Sequence, residues 1–342
     1  MIQRDEFHAG WKEEPTEEYT HFVSYSGGKD STAMLIRLLE EKRLPIGKTL
    51  IVFADTQYEF KELYEYLKTI EKHIQTYPGF ETQKIIILEE YDIATWDQWF
   101  YGRLTRGKKK GMYRGMPKLT TPCYWTREAK VKQLFKLREQ YPIEEVFIGI
   151  AVDEETRYAS ATIVKEGEEF KVKDGNLRYP LVEWNMTEKQ CVTYLQQMRI
   201  PSNPLYLNYR RIGCYHCPKQ GVSSLFTTWK LYPEKYAEIV HWQKEHRKLM
   251  YLNMFEEVIL CHYIPLTPYV HNDHFKEHFA SLRCYNGDVE ELQQKFETGY
   301  IPRNKTAVGC WSGCIGVKQA YQELGCGLQM EYERQSELFD FD

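Results

Sequence analysis

Residues 21–31 of the chain read HFVSYSGGKDS, a short apolar run followed by a polar loop with two glycines. The apolar run is typical of a buried strand. The residues from the end of the loop onward, DSTAMLIRLLEEKRLP, follow the spacing of an amphipathic helix that Pro45 ends. A strand, a glycine-containing loop and a helix in this order are typical of an anion-binding site, because backbone N–H groups and the helix N-terminus favour negative charge. The loop does not match the G-x-x-x-x-G-K-[ST] pattern of the most common phosphate loop.

The residues of this loop suit phosphate groups. Glycine lets the backbone turn and approach a ligand, serine hydroxyls donate hydrogen bonds, and the lysine adds a positive charge. The residues that we expect to contact phosphate are Ser26, Gly27, Gly28, Lys29 and Ser31. A carboxylate would repel phosphate, so we expect Asp30 either to cap the following helix or to help hold Mg²⁺.

Strand and helix patterns alternate through the first half of the chain. Buried-strand character recurs in KTLIVFADT, QKIIILEE and EEVFIGIAV, and helical spacing returns in YEFKELYEYLKTIEKHI. This alternation predicts an α/β fold with a parallel sheet and helices on both faces. Ligands bind beyond the carboxyl ends of such strands. We therefore expect Asp55, Thr56 and Asp153, which follow the second and fourth strands, to face the ligand, unless Asp55 only caps the next helix.

The chain changes character near residue 205. Helical stretches such as YPEKYAEIVHWQKEHRKLMYL dominate the second part, which also contains most of the nine cysteines. We therefore predict an N-terminal extension at 1–20, an α/β domain at 21–205 and a mostly helical, cysteine-bearing region at 206–342.

Composition limits the class of protein. The 342 residues, 42% of them hydrophobic, are enough for a sizeable core, and a net charge of -4 offers no general attraction for nucleic acid. The charged N-terminus is not a signal peptide, and no run approaches the roughly 20 apolar residues of a membrane span. We therefore expect a soluble, cytoplasmic protein without a membrane partner. In a reducing compartment its cysteines would be core residues, metal ligands or nucleophiles rather than disulfides.

One segment between the third and fourth strands is strongly basic. The stretch FYGRLTRGKKKGMYRGMPKLTTPCYW contains no acidic residue. Its cations are Arg103, Arg106, Lys108, Lys109, Lys110, Arg114 and Lys118. Such a run is usually a solvated, mobile loop, which is our expectation here. The alternative is a loop at 103–118 that contacts the phosphates of DNA or tRNA.

Five segments of the chain, in order, resemble one family. The first, SYSGGKDS, resembles the PP-loop of the ATP pyrophosphatases, in the branch that contains the sulfonucleotide (PAPS) reductases. Later elements of that branch are similar to VFADTQYEFKELYEYL, GIAVDEETR, RYPLVEWNMTEKQCVTYLQQMRIPSNPLY and RRIGCYHCP. Together the segments cover roughly residues 21–220. Within them, TEKQ at 187–190 also fits a helix capping box.

The resemblance implies a Rossmann-like adenine nucleotide alpha-hydrolase fold with a defined chemistry. In this family the loop holds the β- and γ-phosphates of ATP with Mg²⁺, a substrate oxygen attacks the α-phosphorus, and pyrophosphate leaves. The resemblance implies catalytic roles for Lys29, Asp30 and Arg157. It implies nucleotide contacts for Ser24, Ser26, Gly27, Gly28, Lys29, Asp30, Ser31, Asp55, Thr56 and Asp153.

The cysteines add a candidate metal site. Cys214 and Cys217 have the spacing that lets two thiolates face one metal, and Cys310 and Cys314 would share one face of a helix. Cys123 resembles a cysteine of the cluster-bearing family members. The alternatives are a [4Fe–4S] cluster, a Zn²⁺ ion held by the other four thiolates without Cys123, and a redox dithiol.

The remaining candidates in this region are weaker. Cys326 in LGCGLQ resembles the terminal C-G-[LI]-H motif whose cysteine is the nucleophile of sulfonucleotide reductases. Gln329 replaces the histidine of that motif and the segment is not terminal, which favours a chance match. We expect His216 to point outward rather than to bind a metal. Core positions are expected for Cys191, Cys261 and Cys284.

Three functional hypotheses follow. The first is an ATP pyrophosphatase that adenylates its substrate for sulfur transfer, of the DNA phosphorothioation or tRNA thiolation type, with a cysteine desulfurase or another sulfur donor as partner. The second is a sulfonucleotide reductase that releases sulfite, with Cys326 as its nucleophile. The third is a non-catalytic nucleotide-binding scaffold, which the intact SGGKDS loop disfavours.

Overall fold

A computed structural model describes most of the chain. The described residues are 18–88, 96–107, 109–117, 123–154, 163–166, 169–172, 175–260, 285 and 288–302. Side chains are described at all of these positions except 163–172 and 254–260. The predictions that lie outside the described residues concern Lys108, Lys118, Arg157, Cys261, Cys284, Cys310, Cys314 and Cys326.

The centre of the fold is a parallel sheet. The described strands are β1 (His21–Ser24), β2 (Thr49–Ala54), β3 (Ile85–Leu88), β4 (Glu145–Ile148), β5 (Ile163–Glu166), β6 (Glu169–Val172) and β7 (Leu177–Arg178). Five of them form one sheet in the order β3-β2-β1-β4-β7, and every pairing in it is parallel. The predicted α/β fold with a parallel sheet is confirmed. The antiparallel pair of β5 and β6 and the short β7 were not predicted.

Helices lie between and after these strands. They are α1 (Lys29–Glu40), α2 (Lys61–Ile74), α3 (Trp96–Phe100), α4 (Tyr124–Thr126), α5 (Lys132–Arg138), α6 (Pro180–Glu183), α7 (Glu188–Gln197), α8 (Val222–Leu231), α9 (Pro233–Leu260) and α10 (Val289–Glu297). A π-helical turn, Arg127–Val131, joins α4 to α5, and a 3₁₀ turn spans Pro204–Leu207. The predicted capping box is present at the start of α7. Among the described helices, none combines the length and the apolar character that crossing a membrane requires.

Apolar spacing explains how these elements pack. All six residues of β2 are buried, as expected for an interior strand whose two faces are both covered. In α2 the buried residues recur at three- and four-residue intervals, so that one stripe of the helix faces the core. That stripe consists of Leu63, Tyr66, Leu67, Ile70 and Ile74. Full burial of one such aliphatic side chain contributes about 1.5–3 kcal/mol of transfer free energy.

The strand order creates a crevice at the carboxyl edge of the sheet. The chain runs from β1 outward to β2 and β3, and then returns to β4 on the other side of β1. Ligands of open α/β sheets bind where the order reverses in this way. Gly149, just after β4, approaches α1 so closely that a Cβ atom there would lie 2.9 Å from Cα of Ser31. The start of α1 is therefore packed directly against the chain that leaves β4.

A second core is dominated by aromatic side chains. It joins α3 and α4 to α8, α9 and α10. Trp96 has ring-centroid distances of 5.4 Å to Trp99, 5.2 Å to Trp125 and 5.5 Å to Trp242. Aromatic pairs of this kind contribute about 0.5–1.5 kcal/mol each beyond their buried area. This aromatic core connects the chain that follows β3 with the helices of the second half.

The basic segment forms a hairpin. Arg103 and Tyr113 make an antiparallel bridge, and the Leu104 N–H donates to the Met112 carbonyl at 2.8 Å. The cations at its tip are exposed, in agreement with the prediction of a solvated segment. The paired backbone replaces the irregular loop that we expected, because the residues on either side of the tip bond to each other.

Candidate functional site

The turn after β1 is tight and held from two sides. Gly27 has a φ of +68°, and a Cβ atom there would lie 2.5 Å from Cδ1 of Leu63 on α2. The carbonyl of Gly27 accepts a hydrogen bond of 3.0 Å from Nδ2 of Asn203. Glycine suits this position because it tolerates both the left-handed backbone and the close approach of α2.

Hydroxyl groups organise the backbone of the loop. Oγ of Ser26 lies 2.9 Å from Oγ of Ser31 and accepts a hydrogen bond of 3.4 Å from the Gly28 N–H. Oγ1 of Thr32 donates to the Gly28 carbonyl at 2.8 Å. Ser24, the last residue of β1, belongs to the sheet itself. The two loop serines therefore stabilise the turn through each other, at the position where we expect phosphate.

Lys29 begins α1 and makes polar contacts on several sides. Its Nζ lies 2.9 Å from Oδ2 of Asp30 and 2.5 Å from Oε2 of Glu188. Its backbone N–H donates to the hydroxyl of Tyr206 at 3.1 Å. Burial lowers the pKa of the ammonium group, but the charge of Asp30 and the hydrogen bonds of both carboxylates raise it more. Lys29 is therefore a cation throughout the physiological pH range.

Asp30 does not cap α1, which corrects one of its two predicted roles. The N-cap is Gly28, no side chain caps the helix there, and the Asp30 carboxylate pairs with Lys29 instead. Burial raises the pKa of Asp30, Lys29 lowers it, and the charges of Glu188 and Glu154 raise it further. The other predicted role was to help hold Mg²⁺. Within the described part of the chain, no group of three or more His, Cys, Asp or Glu is arranged to hold a metal ion.

Asp153 lies close to the loop through its contact with α7. Its Oδ1 accepts a hydrogen bond of 3.0 Å from the backbone N–H of Glu188, the first residue of that helix. The Glu188 side chain is the one that contacts Lys29. Asp153 therefore fixes the position of the carboxylate that neutralises the cation of the loop.

Asp55 follows β2 at the same edge of the sheet as the loop. It accepts hydrogen bonds from the Gln57 N–H at 2.7 Å and from the Tyr64 hydroxyl at 2.8 Å. It does not cap α2, whose N-cap is Phe60. Burial, reinforced by the charge of Glu59, raises the pKa of Asp55. The alternative of a simple helix cap is therefore wrong, and Asp55 remains a buried carboxyl group at the ligand edge.

A buried polar chain leads from β2 to the C-x-x-C motif. Oγ1 of Thr56 donates to Oε1 of Glu59 at 2.8 Å and accepts a hydrogen bond of 3.1 Å from the thiol of Cys214. Nζ of Lys130 pairs with the same Glu59 oxygen at 3.2 Å. Burial lowers the pKa of Lys130, but the charges of Glu59 and Cys214 raise it more. Cys214 is thus one hydrogen bond away from the residue that follows Asp55.

Cys217 lies near two of the other predicted metal ligands. Burial raises the pKa of the Cys214 and Cys217 thiols, the charges of Glu59 and Cys217 add to the first shift, and the charge of Cys123 adds to the second. The Cys217 thiol is therefore within electrostatic range of both Cys214 and Cys123. A metal would have to displace their protons, so its affinity would fall at low pH. Three thiols are an incomplete set, and the predicted partners Cys310 and Cys314 lie outside the described residues.

His216 points inward, which corrects the prediction that it faces outward. Its ring centroid lies 3.9 Å from that of Tyr58 and 4.5 Å from that of Trp96. Burial lowers its pKa to about 3, so the imidazole is neutral. The sequence showed a polar residue between two cysteines, whereas the fold places that residue against the aromatic core.

Some buried ring nitrogens lie near the cysteines, in the chain or in the aromatic core. The buried atoms Nδ1 of His216, Nε1 of Trp96 and Nε1 of Trp125 have no hydrogen-bond partner among the residues that the structure describes. His216 is the neighbour of Cys217 in the chain, and Cys123 packs against the same aromatic core. Buried donors without partners are rare in folded proteins. Their presence fits a site in which a bound group offers acceptor atoms, as the sulfur atoms of a cluster would.

Several residues that shape this site were not singled out from the sequence. They are Glu59, Lys130, Glu188, Asn203 and Tyr206. The last two lie in IPSNPLY, where the family resemblance was the available signal. Glu59 and Lys130 pair with each other, but their sequence gave no signal of this, because charged residues are usually exposed. Cys191 is buried as predicted, and its thiol also hydrogen-bonds to Asp30.

Comparison with known proteins agrees with this geometry. Two similar proteins are uncharacterized proteins of Methanocaldococcus jannaschii. One is 26% identical over 230 residues, which cover 65% of this chain and 47% of the relative. The other is 28% identical over 231 residues, which cover 63% of this chain and 42% of the relative. The chain thus matches less than half the length of each. The phosphoadenosine phosphosulfate reductase domain matches residues 20–220, which contain the loop, the strand ends and the C-x-x-C motif. The chain therefore belongs to the phosphoadenosine phosphosulfate reductase domain family, within the PP-loop superfamily.

Proposed function

We propose that this protein is a PP-loop enzyme that converts ATP to AMP and pyrophosphate and uses the AMP to activate a substrate for sulfur transfer. The observation that carries the proposal is the 3.1 Å hydrogen bond between Cys214 and Thr56, which joins a cysteine motif to the strand end beside the phosphate loop. Family membership supports the coarser statement, an enzyme that acts on nucleotides. Adenylation for sulfur transfer needs a phosphate-binding loop and a cysteine site at one edge of the sheet.

In this proposal the loop binds the β- and γ-phosphates of ATP. The bond between the α-phosphorus and its bridging oxygen breaks, and the electron pair stays on pyrophosphate. Lys29 and the N–H groups of Gly27 and Gly28 stabilise the negative charge that develops on pyrophosphate. Donors that are in place before the charge develops lower the barrier. Asp30 would lie beside the Mg²⁺ that accompanies ATP, and Arg157 would clamp a phosphate or the substrate. The other nucleotide contacts would be Ser24, Ser26, Ser31, Asp55, Thr56 and Asp153.

The cysteines would hold a metal group next to this nucleotide. We propose Cys123, Cys214 and Cys217 as three ligands of a [4Fe–4S] cluster, with Cys310 or Cys314 as the fourth, and Zn²⁺ as the alternative. Such a group supplies a Lewis-acidic or redox-active centre when it is bound. The nearness of Cys217 to Cys123 and to Cys214 supports this assignment, as do the three buried ring nitrogens that lack partners among the described residues. The ion pair between half-buried Lys130 and buried Glu59 would keep the polar connection between the thiols and β2 in place.

The acceptor in this proposal is a nucleic acid, as in DNA phosphorothioation or tRNA thiolation. The exposed cations of the hairpin support a polyanionic substrate. Attack by an oxygen of the acceptor on the α-phosphorus would give an adenylated acceptor. A sulfur nucleophile from a cysteine desulfurase or another donor would then replace AMP, which leaves with the electron pair of the broken bond.

The second candidate is a sulfonucleotide reductase, which the description of the matched domain favours. Such an enzyme would bind adenylyl sulfate or its 3′-phosphorylated form. The thiolate of Cys326 would attack the sulfate sulfur, the adenine nucleotide would leave, and a thiol reductant would release sulfite. This candidate and the first share the phosphate loop but differ in their products.

Product analysis separates the two candidates. The protein is incubated with ATP, Mg²⁺ and mixed DNA and RNA, or with each sulfonucleotide and reduced thioredoxin, and pyrophosphate and sulfite are measured. We expect pyrophosphate from ATP, and its loss in Lys29→Ala but not in Lys48→Ala, which removes an exposed lysine before β2. Near-normal activity of Lys29→Ala would contradict the role of the loop. Sulfite formation that disappears in Cys326→Ser would replace the first candidate by the second.

A further inference from the structure

We propose that the hairpin described at residues 101–107 and 109–117 binds the phosphate backbone of a nucleic acid and that α9 is the brace that presents it. The choice of partner rests on the proposed function. The site itself rests on the geometry of the hairpin and of α9, which begins beyond the matched domain at 20–220.

The cations of this hairpin are not equivalent. The guanidinium of Arg103 lies 4.2 Å from the ring centroid of Tyr113, and its Nη1 donates to the Gly111 carbonyl at 2.6 Å. The guanidinium of Arg114 lies 6.0 Å from the ring centroid of Trp99. These two guanidinium groups make contacts within the hairpin and with the neighbouring helix α3, so they stabilise the hairpin itself.

The tip of the hairpin carries cations that are available to a ligand. The side chains of Arg106, Lys109 and Lys110 are exposed and form no ion pair within the described part of the chain. No acidic residue occurs anywhere between positions 101 and 117. The chain as a whole has a net charge of -4, so this local positive surface does not follow from an excess of basic residues.

The base of the hairpin is fixed to α9. The Asn253 amide pairs with both backbone groups of Tyr113: Oδ1 accepts from the N–H at 2.7 Å, and Nδ2 donates to the carbonyl at 3.0 Å. Nδ1 of His246 accepts from the Met116 N–H at 3.0 Å. His246 occupies the space left by Gly115, where a Cβ atom would lie 2.4 Å from Nδ1. Both α9 side chains are buried, so the cations are presented on a fixed element.

The chemistry of this surface favours nucleic acid over a membrane. Tyr101, 39% exposed, is the one large hydrophobic side chain exposed among the described residues of the hairpin. None of the described aliphatic side chains of the hairpin is therefore exposed to a lipid bilayer, whereas exposed cations suit the phosphates of a nucleic acid. Cations on a braced hairpin also lose less freedom on binding than cations on a mobile loop.

The chain segment that contains the hairpin leaves the sheet at the edge where the candidate site lies. It follows β3, which runs parallel to β2 and β1, so the chain leaves β3 at the same carboxyl edge at which the phosphate loop begins. Its brace, α9, contributes Trp242 to the aromatic core that also packs against Cys123. The aromatic core therefore links the brace of the hairpin to the neighbourhood of Cys123.

Binding of labelled oligonucleotides to the full chain tests the role of the tip. Single-stranded DNA, duplex DNA and single-stranded RNA are titrated with wild type and with Arg106→Ala/Lys109→Ala/Lys110→Ala at several salt concentrations. Each cation that neutralises a phosphate contributes about 0.7–0.9 to the slope of log K against log salt, so the variant should lose about 2–3 from that slope. Lys48→Ala/Lys72→Ala/Lys136→Ala removes the same charge from exposed positions elsewhere and should keep the wild-type slope.

Two variants of Asn253 test the brace without a change in the basic residues. Asn253→Ala loses both hydrogen bonds, and Asn253→Asp keeps the shape but cannot donate to the Tyr113 carbonyl. Each should weaken oligonucleotide binding by about tenfold, because the hairpin must then be ordered on binding. Faster amide hydrogen exchange at 102–114 should accompany the loss. If both variants bind oligonucleotides as tightly as wild type, α9 is not the brace of the hairpin.

The remaining outcomes decide the inference as a whole. Equal salt slopes for the tip variant and its control would overturn it. So would tighter binding of wild type to phosphatidylserine vesicles or polyglutamate than to every oligonucleotide. Pyrophosphate release is measured on the same preparations. Oligonucleotide binding through the tip without pyrophosphate release would refute the proposed function and support the hairpin. Pyrophosphate release with no oligonucleotide binding would refute the hairpin alone.

Discussion

Among single residues, Lys29 is the cation of the loop, and carboxylates of the same chain offset its positive charge. Two carboxylates of the same chain contact its ammonium group, at 2.9 Å from Asp30 and 2.5 Å from Glu188. Glu188 is held there because it begins α7, where Asp153 accepts its backbone N–H. A phosphate that binds to Lys29 must therefore share the cation with Asp30 and compete with Glu188.

Removal of the Glu188 charge should strengthen anion binding at the loop. Glu188→Gln keeps the shape of the side chain but no longer neutralises Lys29, so pyrophosphate should bind about tenfold more tightly, equivalent to about 1.4 kcal/mol. Isothermal titration with pyrophosphate measures the change. Glu183→Gln is the matched control, since Glu183 pairs with Arg43 at 3.1 Å instead. Weaker binding of Mg²⁺–pyrophosphate by Glu188→Gln would show instead that Glu188 serves the metal.

The buried carboxyl group of Asp55 should make stability depend on pH. Burial and the charge of Glu59 raise its folded pKa, although Gln57 and Tyr64 donate hydrogen bonds that lower it. A raised folded pKa gives a stabilisation that is complete below the unfolded value of about 3.9 and is lost as pH rises through the folded pKa. Wild type should therefore lose stability relative to Asp55→Asn as pH rises from about 4. Guanidinium midpoints across pH measure the difference.

Asp288 provides a control of the opposite sign for this pH effect. Burial raises its pKa, but hydrogen bonds from Arg247 and Gln243 lower it more, and the net direction is downward. Its stabilisation is therefore present above the unfolded pKa and is lost as pH falls. Wild type should gain stability relative to Asp288→Asn as pH rises. Parallel curves for Asp55→Asn and wild type would contradict the assignment of a raised pKa to Asp55.

Among helices and strands, sequence patterns identified the elements that repeat a simple period. β1 to β4 and α1, α2 and α9 follow apolar runs or helical spacing, and the capping box of α7 follows a local motif. The two-residue β7 was missed because it is too short to show a period. The pairing of the basic hairpin was missed because the run of cations is typical of a solvated loop, and its contacts with Asn253 and His246 join residues that are far apart in the chain.

In the candidate site too, local sequence patterns identified some residues and missed others. Local residue types placed Gly27 and Gly28 correctly in a turn before a helix, whereas Lys29 is the first residue of that helix and not part of the turn. The contacts of Glu188 and Tyr206 with Lys29 depend on how α7 and the 3₁₀ turn fold back onto α1, and no local pattern encodes them. Polar residues whose partners are distant in sequence were therefore the ones that sequence reasoning misplaced or missed.

The cysteine motif should connect metal binding to stability. Cys214→Ser and Cys217→Ser should each abolish bound metal, and the melting temperature should fall because metal binding also contributes folding free energy. Iron, sulfide and zinc analysis of anaerobically purified protein measures the first effect, and thermal melting measures the second. Cys191→Ser is the control, because that buried thiol lies on α7 beside Asp30. Metal-free wild type, or unchanged metal in both variants, would refute the ligand assignment.

For the molecule as a unit, the aromatic core is the physical connection between the two halves of the chain. Residues from α3 and α4 pack there against residues from α8, α9 and α10. His216, between the two cysteines, packs at a tilt against Tyr58 and edge-on against Trp96 beside this core. The aromatic core therefore connects Cys123 with the brace of the hairpin, and Tyr58 packs both against this core and against the core of the sheet.

This packing predicts cooperative unfolding and a large effect of Trp96→Ala. Trp96 is buried, and truncation of a buried Trp costs about 3–5 kcal/mol through lost burial and the cavity that remains. Tryptophan fluorescence and far-UV circular dichroism should show one coincident transition in guanidinium chloride, and both should shift together in the variant. Trp184→Ala, at a half-buried site beside Arg37, should shift the midpoint much less. Two separate transitions, with Trp96→Ala moving only one, would show that the halves fold independently and that the aromatic core does not couple the hairpin brace to the nucleotide edge.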